Sequence, residues 1–175
     1  VVREKLRLVK RLKDLRIDKL AELFDIAVQQ ACYITSSSHS FLFQYHEDTG
    51  ELHLVAGYDH TGEVKRMQTF SFQNHPVLGA VCKAEMPTII NSFSDSEKKQ
   101  LRYLVPFLEP ERLIGMPLWE RGEFKMVLLT FNKPEPYTED DELSIHVLLE
   151  AVFFLHERWL AEQDYRIERD RMDNS

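Results

Sequence analysis

The chain has 175 residues, 43% of them hydrophobic, which is the size and apolar content of one globular domain with a single core. Its 29 acidic side chains against 22 Lys and Arg leave a net charge of −7, which argues against direct binding of nucleic acid or an anionic membrane. Cys32 and Cys82 are too few for a disulfide framework and the longest apolar run, Ala151 to Leu155, is too short to span a bilayer, so the chain reads as cytoplasmic with reduced thiols.

The first 20 residues carry eight basic and three acidic side chains, net +5, leaving −12 on the remainder. Such a stretch reads as a solvated helix face, and it also suits a segment that follows a membrane anchor. From Val2 to about Ala31 there is no Pro or Gly, and Leu6, Val9, Leu20, Leu23 and Ala27 keep one 3,4 phase, which predicts a long helix. Its first half has only a narrow apolar seam, Leu8, Leu12 and Leu15, that needs a partner helix. Phe24, Ala27 and Ala31 give the second half a broad core face.

The run Ser36 to Ser40 breaks this helix, and the pattern then alternates with period two. Phe41, Phe43 and Tyr45, the loop Glu47 to Gly50, and Leu52, Leu54 and Ala56 predict a β-hairpin with Tyr45 opposite Leu52 and Phe43 opposite Leu54. A third strand is predicted at Met67 to Phe72. Asn74-His75-Pro76 then marks a helix start, where the free amides of Val77 and Leu78 beside His75 suit an anion, or where His75 is simply a polar cap.

Met86 to Asn91 is β-like, Ser94 to Glu97 opens a short helix, and strands follow at Leu113 to Trp119 and Phe124 to Asn132 around an Arg121-Gly122 turn. The last helix starts near Thr138, where Glu139 to Glu142 suit the positive end of its dipole. It carries two adjacent stripes, Leu148, Val152, Leu155 and Trp159 beside Leu149, Phe153, His156 and Leu160. One sheet covers one stripe, so a parallel homodimer is expected with Leu8, Leu12, Leu15, Leu148, Val152, Leu155 and Trp159 at its seam, and Leu155→Glu should give monomers.

This order of elements, with Phe41 to Tyr45, the Asp48-Thr-Gly50 turn, Ile114-Gly-Met-Pro-Leu118, Val127 to Leu129 and Tyr137 to Asp141, resembles a GAF domain over about Leu20 to Leu160. The resemblance implies an α+β fold with an antiparallel sheet of about six strands. Long N- and C-terminal helices would cover one face, with short helices and a ligand pocket on the other. On this division residues 1–19 form a signalling helix, 20–160 the domain and 161–175 a polar helical linker. The chain starts without methionine, and we expect a piece of a longer protein.

The resemblance further implies a regulatory sensor that binds a small molecule, dimerises, and signals through its terminal helices to a covalently attached output domain, such as a histidine kinase or cyclic-di-GMP enzyme. Phe43, Phe70, Phe72, Tyr103, Phe107 and Met116 fall on elements that would enclose the family pocket, with His75, Val77 and Leu78 at its polar end. Asn132-Lys133, Tyr137 and Asp141-Glu142 are similar to a signature of cyclic-nucleotide-binding GAF domains, with Tyr137 in place of phenylalanine. In the family that signature is mainly a lysine to aspartate bridge, expected here as an exposed pair worth about 1 kcal/mol or less. A cyclic-nucleotide receptor and a ligand-free dimerisation scaffold are the alternatives. Met126 stands where the family usually carries glycine.

No catalytic motif, metal site or cofactor is expected. GxSxG, P-loop, HExxH and GxGxxG are absent. His39, His46, His53 and His60 recur every seventh residue, but on strands that step changes face. The segment Arg102 to Met116 has no haem-ligating histidine, and no cysteine sits where a bilin attaches in phytochromes.

Overall fold

Gly50 and Arg121-Gly122 close the two hairpins on which the sheet is built. In the computed structural model, which describes residues 3, 20–59, 62–63, 69–70, 75–105 and 108–174, β1 (His39–His46) and β2 (Glu51–Asp59) pair antiparallel. Gly50 sits at φ +68°, and its N–H donates to the His46 carbonyl at 2.9 Å. The register has Tyr45 opposite Leu52 and Phe43 opposite Leu54, as the alternation predicts. Arg121 and Gly122, at φ +52° and +77°, join β6 (Leu113–Glu120) to β7 (Glu123–Phe131) in a two-residue turn whose hand matches strand twist.

β1 also pairs with β7, which sets the hairpins side by side. Completing the sheet are β3 (Gly62–Glu63), β4 (Thr69–Phe70) and β5 (Thr88–Ile90), in the order β3-β2-β1-β7-β6-β5 with β4 also on β2. Among the described residues the sheet has seven strands where about six were expected, because β2 collects two short partners, one of which, β4, falls within the strand expected at Met67 to Phe72.

Helix α1 (Leu20–Thr35) ends where Ser36 adopts φ +56° and the Ser37 N–H reaches back to the Cys32 carbonyl at 2.9 Å. Helix α2 (Pro76–Lys83) begins on proline, and α3 (Asp95–Leu104) begins on a reciprocal cap between Ser94 and Glu97. Helix α4 (Glu139–Asp173) runs for 35 residues.

Strand alternation divides the core in two. Leu42, Ile114, Met116, Leu118, Met126 and Leu128 face α1 and α4, where they meet Phe24, Ala27, Val28, Ile145, Leu148 and Val152. Phe41, Phe43, Leu52, Leu54, Val127 and Leu129 face α2 and α3, against Val77, Leu78, Val81, Leu101 and Leu104. Burying each large side chain contributes about 1.5–3 kcal/mol. Gly115 lies where α2 crosses β6; a Cβ there would come within 2.5 Å of Val81 Cγ1.

Two expectations about the core are corrected here. Leu148, Val152 and Leu155 are buried against the chain's own sheet and α1, together with Leu149 and His156 from the neighbouring stripe. One core covers both stripes as far as His156, because α1 lies beside α4 and widens the arc that the sheet offers; Leu160 is exposed. Leu155→Glu would therefore strike the fold itself. Trp159 is half-buried, and Leu8, Leu12 and Leu15 lie outside the described residues.

His156 is packed between Phe24 and Phe153, with ring centroids at 5.8 and 6.1 Å. Burial lowers its pKa from the ordinary 6.5, and the Glu157 carboxylate opposes that only in part. Glu157 Oε1 is 3.7 Å from Nδ1, beyond hydrogen-bond range. The unfolded chain thus takes up a proton below about pH 6.5 that the folded ring refuses, so stability falls as the pH drops from there. In His156→Phe that component should vanish, read as a flatter pH dependence of the urea midpoint than wild type below about pH 6.5.

Candidate functional site

The start of α2 is the polar end of the expected pocket. His75 caps it: Nδ1 accepts from the Leu78 N–H at 3.1 Å, and Nε2 faces the Gln100 carbonyl at 3.1 Å. A neutral ring with its proton on Nε2 satisfies both contacts. The Gly79 N–H is also taken, by the His75 carbonyl at 2.7 Å. His75 thus joins α2 to α3, and the Leu78 amide expected to meet an anion is already bonded.

The other expected pocket residues scatter. Phe43, Val77 and Leu78 are buried in the core under α2 and α3. Met116 belongs to the opposite core, because Gly115, facing Val81, sets the strand parity and turns Met116 toward α1 and α4. Tyr103 is 83% exposed. The side chains of Phe70, Phe72 and Phe107 lie outside the described residues. His46 and His53 stack at 3.9 Å, yet no three His, Cys, Asp or Glu side chains among the described residues form a group able to hold a metal ion. Burial pushes the thiols of Cys32 and Cys82 up to about 12, which makes both poor nucleophiles.

The loop from Asn132 to Asp141 is the most heavily bonded polar assembly among the described residues. Asn132, at φ +65°, accepts through Oδ1 from the amides of Glu111 and Arg112 and donates to the Glu109 carbonyl. The Lys133 Nζ donates to Asp141 Oδ2 at 2.8 Å, and the same oxygen accepts from the Thr138 N–H at 2.9 Å. Tyr137 Oη accepts from the Lys133 N–H and meets Ser37 Oγ at 2.7 Å, which continues to Thr35 and the Ala31 carbonyl. Burial raises the Tyr137 pKa above its ordinary value. The Asn91 side chain brackets the Tyr137 backbone on both sides.

No family model matches the chain, and no curated protein matches its sequence. Solved structures match its fold. The GAF domain from a phosphoenolpyruvate-protein phosphotransferase of Coxiella burnetii superposes with a TM-score of 0.71 at 17% identity, covering 90% of this chain and 96% of that one. The chain has a GAF-domain fold. The phycocyanobilin-bound GAF domain from a cyanobacterial phytochrome matches it with a TM-score of 0.69 at 10% identity, over 90% of this chain and 96% of that one. Bacteriophytochrome RpBphP3 from R. palustris gives 0.69 at 14% identity, over 95% of this chain and 40% of the larger protein.

Helix α4 of this GAF fold has a second face that sequence reading missed. Leu143, Phe154 and Tyr165 recur every eleventh residue, as do Ala161 and Met172, and eleven residues make three helical turns. All five are exposed, Phe154 by 57%, and they lie opposite Ile145, Leu148 and Val152. From Glu157 onward no residue of α4 is buried. The strip hides from a 3,4 reading because charged residues such as Glu150 and Arg158 interrupt it; the elevenfold spacing was the available signal. No helix among the described residues is long and apolar enough to cross a membrane.

Proposed function

We propose that this GAF-fold domain is a regulatory module that dimerises in parallel, binds a small molecule, and passes a signal through its terminal helices to a covalently attached output domain. The observation that carries this reading is the outward strip of α4, on which Leu143, Ala161 and Tyr165 are exposed on the side away from the core. A second copy supplying the same strip would bury Leu143 against Leu143 and Tyr165 against Tyr165 in a helical seam. This seam replaces the one expected from Leu148, Val152 and Leu155.

The test is light scattering at high micromolar concentration. Wild type should be dimeric and Tyr165→Glu monomeric but folded, with the two urea midpoints equal at a dilution where wild type is itself monomeric and wild type higher above it. A monomeric wild type would sink the dimer reading. A ligand-free dimerisation scaffold is the second reading, favoured by the buried positions of Phe43, Val77 and Leu78. A metabolite panel that includes cyclic nucleotides separates the two, because a receptor gains stability with ligand and a scaffold does not.

A further inference from the structure

Three aromatic side chains lie together at the end of the sheet, where the β1–β2 loop and the β6–β7 turn are close. Tyr45 is on β1, Phe124 on β7 and Trp119 on β6, and these strands are lateral neighbours in that order. The Tyr45 and Phe124 ring centroids are 5.3 Å apart with planes inclined by 53°; those of Phe124 and Trp119 are 5.5 Å apart and inclined by 55°. Tyr45 and Phe124 are half-buried, and Trp119 is 41% exposed.

The rings line a cleft of about 560 Å³, within the size range of small-molecule sites, with Cys82 and Lys83 on its α2 side. His75 is at the other end of α2, about 12 Å away along the eight-residue helix, so the cleft is distinct from the capped helix start. Its charges balance. Lys125 and Glu123 are paired at 2.7 Å, and Lys83 and Glu47 supply one charge of each sign. The cleft therefore has little net field with which to select an ion, and what it offers is ring faces. Nothing stands within 4 Å of where a Cβ would project from Gly122, so the turn leaves the rim open there.

The geometry points to a binding site for a flat, uncharged aromatic or heteroaromatic compound of one or two fused rings, stacked on Trp119 and met at a tilt by Phe124. Stacking tolerates many ring types, because every such ring presents a π-face. Tyr45, Glu123 and Lys125 also line a second cleft with Phe153, His156 and Leu160 of α4. The aromatic cleft and this second cleft, which α4 borders, are thus separated by a shared wall.

The full chain should be titrated with adenine and indole as flat probes and cyclohexanol as a saturated control, following the indole N–H resonances by NMR. Trp119 and Trp159 give the two such signals, and Trp159→Phe assigns them. Both flat probes should shift the Trp119 signal saturably at millimolar concentration, and cyclohexanol should not. In Trp119→Leu, which keeps apolar bulk at the position, saturation transfer to the probe should report affinity weakened by about tenfold, the order that losing one stacking ring carries. A Trp119 signal unmoved by either flat probe would overturn the proposal, as would an equal response to cyclohexanol or undiminished affinity in a folded Trp119→Leu.

Discussion

Asp141→Ala should destabilise the domain by about 3 kcal/mol, the cost of breaking a buried ion pair rather than a surface one. The Asp141 side chain is 2% exposed and that of Lys133 18%. Removing the carboxylate strands the ammonium in a largely desolvated position and takes the acceptor from the Thr138 N–H at the start of α4. This overturns the expectation of an exposed pair worth about 1 kcal/mol or less. Urea denaturation supplies the measurement, with Lys133→Met/Asp141→Ala as the informative partner. Because the double variant has no stranded charge, it should recover part of the loss. A single-variant loss below about 1 kcal/mol would mean that water reaches the pair and that the loop is open.

Gly115→Ala should cost about 2 kcal/mol by overpacking alone. The added methyl would approach Val81 Cγ1 to 2.5 Å and Cγ2 to 3.2 Å, with Leu129 Cδ2 at 3.4 Å behind them. Val81 is fully buried and β-branched, so it has few rotamers into which to withdraw. Helix α2 must lift from β6, or Val81 must leave its rotamer. Gly115 is not in the left-handed region, so backbone strain does not enter. Val81→Ala made in the same chain should restore the space, and the double variant should lie closer to wild type than the sum of the two single losses predicts. Additive losses would show that the contact between α2 and β6 is slack.

The hairpin register and the helix starts were legible because local chemistry decides them. Gly50 at a positive φ fixes a four-residue loop, after which Tyr45 can face only Leu52. Ser94 and Glu97 announce their helix by a reciprocal cap. The fold neighbours agree with the resemblance read from Phe41 to Asp141. The site was less legible because side-chain direction depends on contacts far apart in sequence. Met116 was assigned to the pocket although strand parity, set by a glycine meeting Val81, turns it away. The bridge from Lys133 to Asp141 was legible from the resemblance, but its burial was not, since the sequence shows Asp141 only as one of four acids at a helix start. The two stripes of α4 were divided between sheet and partner because nothing local says how wide an arc α1 helps to cover.

The hydroxyl chain from Thr35 through Ser37 to Tyr137, with Asn91 clasping the same tyrosine, clamps the beginning of α4 to the end of α1 and to the strand edge at β5. Beyond this clamp α4 rests on α1 and the sheet as far as His156, so only the stretch from Glu157 to Asp173, about 25 Å long, projects as a lever. A tilt of about 5° where the helix leaves the core carries the far tip through about 2 Å. Any tilt of the packed half would be largest at Met172, and Tyr137→Phe, which takes the hydroxyl out of the clamp, should loosen the near end of α4.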